Sequence, residues 1–157
     1  MKILSSLEGS SFSMWLLGSN SIWAYPTVLT LHTFGMMVLV GASAMLDLRL
    51  LGFGRGIPLD SIKMLFRVMW VAFWLNAVTG SMLFAADATK RGTSVIFLVK
   101  LLLVATGVVT IVLIRREVYG KNPSPVTVSS TAKLLATASL LVWSAAISTG
   151  RLLAYVT

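Results

Sequence analysis

The 157-residue chain has no cysteine, one histidine and only five acidic residues. Without thiols it has no disulfides, thiolate nucleophiles, iron–sulfur clusters or cysteine-based zinc sites. Charged residues make up 11% of the chain against 57% hydrophobic ones, and the mean hydropathy is +0.89, far more apolar than a soluble domain of this length requires. The sequence also lacks an alternating strand pattern, an internal repeat, a phosphate-binding glycine loop, a zinc-protease histidine pair and a nucleophile–base arrangement. Lipid is therefore the expected solvent. A backbone crossing a bilayer must satisfy its own hydrogen bonds, so the expected fold is an all-α integral membrane protein, a single membrane domain over residues 1–157.

Four apolar runs are present, at about 24–50, 62–86, 94–115 and 131–155, each long enough to cross the ~30 Å hydrocarbon core at ~1.5 Å per residue. They predict a four-transmembrane-helix bundle. Ser21 can cap the first run, Pro26 is tolerated in its opening turn, and Trp23 and Tyr25 suit the membrane interface. Glycines and a proline from Gly52 to Pro58 break the chain after it, a second break falls at Asp87 to Gly92, and paired prolines mark a third from Gly120 to Pro125. At the N-terminus Lys2 gives a weakly positive start, but Glu8, Gly9 and Ser10-Ser11 interrupt what a cleaved signal would need, so the segment is expected to be retained. Ile3, Leu4, Leu7, Trp15 and Leu16 among serines predict a short interfacial helix over 3–17.

Thirteen Lys and Arg residues give a net charge of +8. They stand at the ends of apolar runs and form no basic stripe, so topology accounts for them and nucleic acid is not an expected partner. Arg49, Arg55, Lys63 and Arg67 flank the first break, and Arg115, Arg116, Lys121 and Lys133 the third. Lys2, Lys90, Arg91 and Arg151 lie on the other side, with Lys100 a short way into the third run. This bias predicts cytoplasmic first and third loops and periplasmic or extracellular termini.

Polar residues inside apolar runs carry the most functional information, because lipid tails do not solvate them. Projected at ~100° per residue, Tyr25, His32, Met36, Ser43 and Asp47 share a stripe with Gly35 at its margin. Asn76, Gly80 and Asp87 share another, and Lys133, Thr137, Ser144, Ser148 and Arg151 a third. All three are expected to face the bundle interior, so that His32, Met36, Asn76, Lys100, Ser144, Ser148 and Arg151 line a pocket opening outward. His32 lies ~13 Å along the helix from Trp23. Its imidazole can make an interhelical hydrogen bond, carry a proton, or ligate a metal. A haem b is one possible cofactor, with Met36, Met37, Met69 or Met82 or a second chain supplying the other axial ligand and Lys100 and Arg151 pairing with propionates. His32 and Met36 also offer a nitrogen and a thioether to Cu(I). Asp47 is expected in a structural ion pair with Arg49 or Arg67, and Lys100 to snorkel outward or pair with Asp87. Ala146 and Gly150 form a small-x-x-x-small step suited to close helix contact.

His32-Thr33-Phe34-Gly35, Gly41, Leu46-Asp47-Leu48-Arg49-Leu50-Leu51-Gly52 and Thr79-Gly80-Ser81-Met82-Leu83-Phe84 resemble an uncharacterised family of small bacterial multipass membrane proteins, best over residues 23–115. The resemblance implies a four- or five-helix inner-membrane domain with a similar histidine in its first span, and brings no reaction. A more distant similarity, in the helical layout with an intramembrane histidine, is to membrane b-type cytochromes and copper-resistance membrane domains, which place several histidines on different helices. The expected function is non-enzymatic: an accessory subunit of a larger membrane complex, or a small-ligand-binding module using the outward pocket. The alternatives are a b-type haem electron-transfer protein with His32 as axial ligand and an oligomeric transporter or channel component. Partners expected are the lipid bilayer and a homo-oligomer or larger membrane complex.

Overall fold

A computed structural model of the chain describes residues 2–18, 23–54, 56–120 and 128–156. Its helices are α1 (Lys2–Glu8), α2 (Ser11–Gly18), α3 (Ala24–Leu51), α4 (Lys63–Ala86), α5 (Ala88–Gly92), α6 (Val95–Tyr119) and α7 (Ser130–Val156), with a 3-10 turn at Leu59–Ile62 leading into α4. Four stretches, namely α3, the turn continued by α4, α6 and α7, are long and apolar enough to cross a membrane. The chain is an all-α membrane bundle. The expected cap Ser21, the loop residue Arg55 and residues 121–125 of the third break lie outside the described residues.

Local chemistry sets the helix ends. Gly52 stops α3 at φ 108°, in the left-handed region that favours glycine. Its N–H donates to the Arg49 carbonyl at 3.2 Å while the Phe53 N–H reaches Leu48 at 3.0 Å, which satisfies two of the last carbonyls. The Ser94 hydroxyl caps α6 by accepting from the Phe97 N–H at 3.4 Å, and Ser129 caps α7 through Ala132 at 3.1 Å. α6 runs one turn past the expected end at 115: Arg115-Arg116-Glu117 ends the apolar run, but no helix breaker occurs before Gly120.

The expected helix over 3–17 is divided at Gly9-Ser10, where the Ser10 hydroxyl accepts from the Ser13 N–H at 3.3 Å and opens α2. The two short helices dock against the bundle where α3 begins and α4 ends. Ser13 is fully buried and donates to the Ala85 carbonyl at 3.0 Å, and Leu16 packs with Val28, Leu83 and Ala86. The second break is itself helical as α5, with Glu8 accepting from the Thr89 N–H at 3.3 Å.

Around the bundle, α3 packs along α4 and α7, and α7 along α6, while the backbones of α4 and α6 stay apart. A single core joins the four through Leu39, Leu46 and Leu50 of α3, Phe66 and Met69 of α4, Ile111 and Ile114 of α6, and Trp143 and Ala146 of α7. With Ala42 of the same core included, the α3 residues 39, 42, 46 and 50 recur at three- and four-residue steps, the spacing of one buried helix face.

Candidate functional site

His32 lies where α3 meets α4. Its Nδ1 is 3.0 Å from Thr79 Oγ1, and that hydroxyl donates in turn to the Leu75 carbonyl at 2.7 Å. With the Thr79 proton so directed, the hydroxyl accepts, and His32 Nδ1 is the protonated ring nitrogen. The ring is set against Gly80, where an added Cβ would lie 3.1 Å from His32 Cε1. One turn away the pairing is reversed. A Cβ on Gly35 would lie 2.8 Å from Asn76 Nδ2, the amide that reaches the Ala72 carbonyl at 3.4 Å. Asn76 Oδ1 is buried without a partner. The two glycines let the helices close around these polar groups, so His32, Asn76 and Thr79 form an interhelical cluster.

A second cluster lies nearer the Gly52 end, between α3 and α7. Asp47 is wholly buried, and its Oδ2 accepts from Ser43 Oγ at 3.4 Å, while Oδ1 has no partner. Ser43 is also 3.3 Å from Ser139 Oγ of α7, and both hydroxyls are buried. The expected ion pair of Asp47 with Arg49 or Arg67 is not formed. Arg49 stands two residues on, about 200° around the helix, and its Nε donates to the Ile57 carbonyl at 2.8 Å. Arg67 is exposed. Asp87 takes Arg91 as its partner at 3.6 Å, and the alternative pairing with Lys100 is absent. Lys100 instead lays its stem on α7, with Cε 3.4 Å from a Cβ placed on Gly150.

The third stripe is on the opposite side from that expected. Lys133, Thr137, Ser144, Ser148 and Arg151 share one face of α7, but all five are exposed, and the inward face carries Ala132, Ala136, Ser139, Trp143 and Ala146. Arg151 stacks its guanidinium over Tyr155, 5.7 Å from the ring centre. The seven residues expected to line one outward pocket are thus divided. His32 and Asn76 come together with Met36 half-buried one turn along, Lys100 packs on Gly150, and Ser144, Ser148 and Arg151 point away. Two buried hydroxyls, Thr79 and Ser139, belong to none of the three expected stripes. Thr79 falls three residues after Asn76 on the same face, and Ser139 is the one hydroxyl on the small-residue face of α7.

The geometry does not fit a haem at His32. A porphyrin needs a slot between helices, and α3 and α4 are closed to side-chain contact at both Gly35 and Gly80. Met36 lies one turn along the same helix, on the same side of any iron as His32. Met69 is buried in the main core, and Met37 is exposed. For copper, His32 and Met36 are two donors of one helix, and no group of three His, Cys, Asp or Glu side chains gathers among the described residues. A separate cleft of about 490 Å³ opens between α4 and α6, lined by Trp70, Ile111, Val112, Arg115, Arg116, Tyr119 and Gly120, away from His32.

These elements define a class, the four-helix membrane bundle with short helices docked at one end. No family model, curated protein or solved structure matches the chain.

Proposed function

We propose that the chain is a non-enzymatic subunit of a larger assembly in a bacterial inner membrane, with both termini on the outer side, and that it docks through the outer face of α7. The observation that carries this reading is the exposed polar stripe Thr137, Ser144, Ser148 and Arg151 on a helix apolar enough to span a bilayer. The other spans expose mainly apolar side chains, Val71, Trp74 and Val78 on α4 and Val95, Leu98 and Leu102 on α6, with one back-bonded hydroxyl each at Thr33 of α3, Ser81 of α4 and Thr106 of α6. The α7 hydroxyls each donate to the carbonyl four residues back, Thr137 at 3.1 Å, Ser144 at 2.8 Å and Ser148 at 2.9 Å. Their donors are thereby satisfied before assembly, while lone pairs and small volumes remain for a neighbouring helix.

The competing readings have less support. A ligand module needs an open outward pocket, and the His32 region is closed. A conducting path through one copy would have to link His32 to Asp47, yet the buried side chains between them, Leu39, Ala42 and Met69, are apolar. The test is the size of the chain extracted from its own membranes in mild detergent. The wild-type chain is expected in a complex containing other subunits, and S144L/S148L is expected to free it. A wild-type chain that runs alone, or only as multiples of its 16.9 kDa mass, overturns the accessory role.

A further inference from the structure

The cleft between α4 and α6 is independent of the α7 face. It has two chemically different ends. At one, Arg115 and Arg116 are both exposed, and among the described residues no carboxylate lies within 4 Å of either. The nearest acid in sequence, Glu117, accepts from Ser129 at 3.0 Å. At the other end, Ile111, Val112 and Trp70 are apolar, and a narrow apolar slit continues past Val108, Phe73 and Leu39 into the bundle. Tyr119 forms a fixed floor: its hydroxyl donates to the Leu59 carbonyl at 2.7 Å, and its ring meets Phe66 edge-on at 5.7 Å, with Lys63 Nζ 5.2 Å from its centre.

The order of these groups along the membrane normal matters. Arg115 comes about 20 residues after the start of α6 at Val95, roughly 30 Å of helix and one hydrocarbon thickness, so the arginines stand at headgroup level with the apolar lining beneath them. A phospholipid presents the same order, an anionic phosphate above an acyl chain. Guanidiniums match phosphate oxygens in charge and in fork geometry, and both arginines line this end of the cleft. The cleft volume also lies in the ~300–1,000 Å³ range of small-molecule sites. A free phosphate would use the arginines and leave the apolar half uncovered.

We propose that this cleft holds an anionic phospholipid, its phosphate on Arg115 and Arg116 and one acyl chain along Ile111, Val112 and Trp70. The test is native mass spectrometry of the full chain released from micelles containing equal amounts of phosphatidylglycerol and phosphatidylcholine, with and without inorganic phosphate. The wild-type chain is expected to retain phosphatidylglycerol preferentially. R115Q/R116Q should weaken retention about 25-fold, near fivefold per arginine, and R115K/R116K should keep part of it. Unfolding midpoints in detergent check that both variants are folded. Equal retention of the two lipids overturns the proposal, as does unchanged phosphatidylglycerol retention in R115Q/R116Q. Displacement by millimolar inorganic phosphate alone would reassign the cleft to a soluble anion.

Discussion

α6 faces two neighbours in different ways. Along α7 the seam is closed: Trp143 is only 2% exposed, and its indole lies across Gly107, where an added Cβ would come within 2.7 Å of the ring. Along α4 the backbones stand apart, and aromatic side chains make the bridge, Phe84 stacked on Phe97 at 5.3 Å and Phe66 against Tyr119. Trp70, beside the cleft, is only half-buried. The difference follows from residue size. Small residues on α6 and α7 let two helices meet without a hydrophobic drive from lipid, whereas bulky side chains on α4 hold α6 off and leave room for a third body. Closed seams keep the bundle together, and the open seam is available for binding.

The strongest way to break this comparison is to remove each tryptophan. Trp143→Ala is expected to cost about 3–5 kcal/mol, the range for emptying a buried aromatic site. Trp70→Ala, at the open seam, should cost about 1 kcal/mol or less. Unfolding by denaturing detergent in mixed micelles measures both, and equal costs would mean that the two seams are equally structural. A smaller effect separates closed seam from lipid-facing surface on a finer scale. Gly80→Leu must displace the His32 ring and is expected to cost about 1–3 kcal/mol through overpacking. Gly41→Leu, where nothing lies within 4 Å of an added Cβ, is expected to be neutral or slightly stabilising. If Gly80→Leu is as harmless as Gly41→Leu, α3 and α4 are not held as closely as the His32–Thr79 contact implies.

How much of this was legible beforehand differs between helices for a physical reason. The α3 stripe was read correctly as inward: Ser43 and Asp47 are buried, and His32 faces α4. The α7 stripe had an equally clear period and the opposite side. Periodicity identifies a face, but in lipid polarity does not say which way it points, since core and solvent are both apolar. The better signal was size, because the small residues Ala132, Ala136, Ser139 and Ala146 fall on one face of α7, with Trp143 the single large side chain among them. Of the two partners expected for Asp47, Arg49 fails because nearness in sequence stood in for angle around the helix, and Arg67 because it is on the exposed side of α4. The cleft at Arg115 and Arg116 was not legible at all. It exists because α4 and α6 fail to close, a property of two helices joined through α5 and not of either one.

The smallest effect isolates the polar contact between α3 and α7. Ser43 and Ser139 meet at 3.3 Å with both side chains buried, and Ser43 also bonds Asp47. A double-mutant cycle of Ser43→Ala and Ser139→Ala therefore isolates the hydroxyl pair from what each serine does alone, provided that Asp47 is kept in all four proteins. The expected coupling is about 0.6 kcal/mol and at most about 1.7 kcal/mol, the range for interhelical hydrogen bonds in membranes. A value in that range makes the α3–α7 seam one that polar contacts help to close, unlike the α6–α7 seam, where Trp143 and Gly107 close it by shape. Zero coupling would leave packing as the common basis of both seams and reduce the serines to small residues that happen to carry hydroxyls.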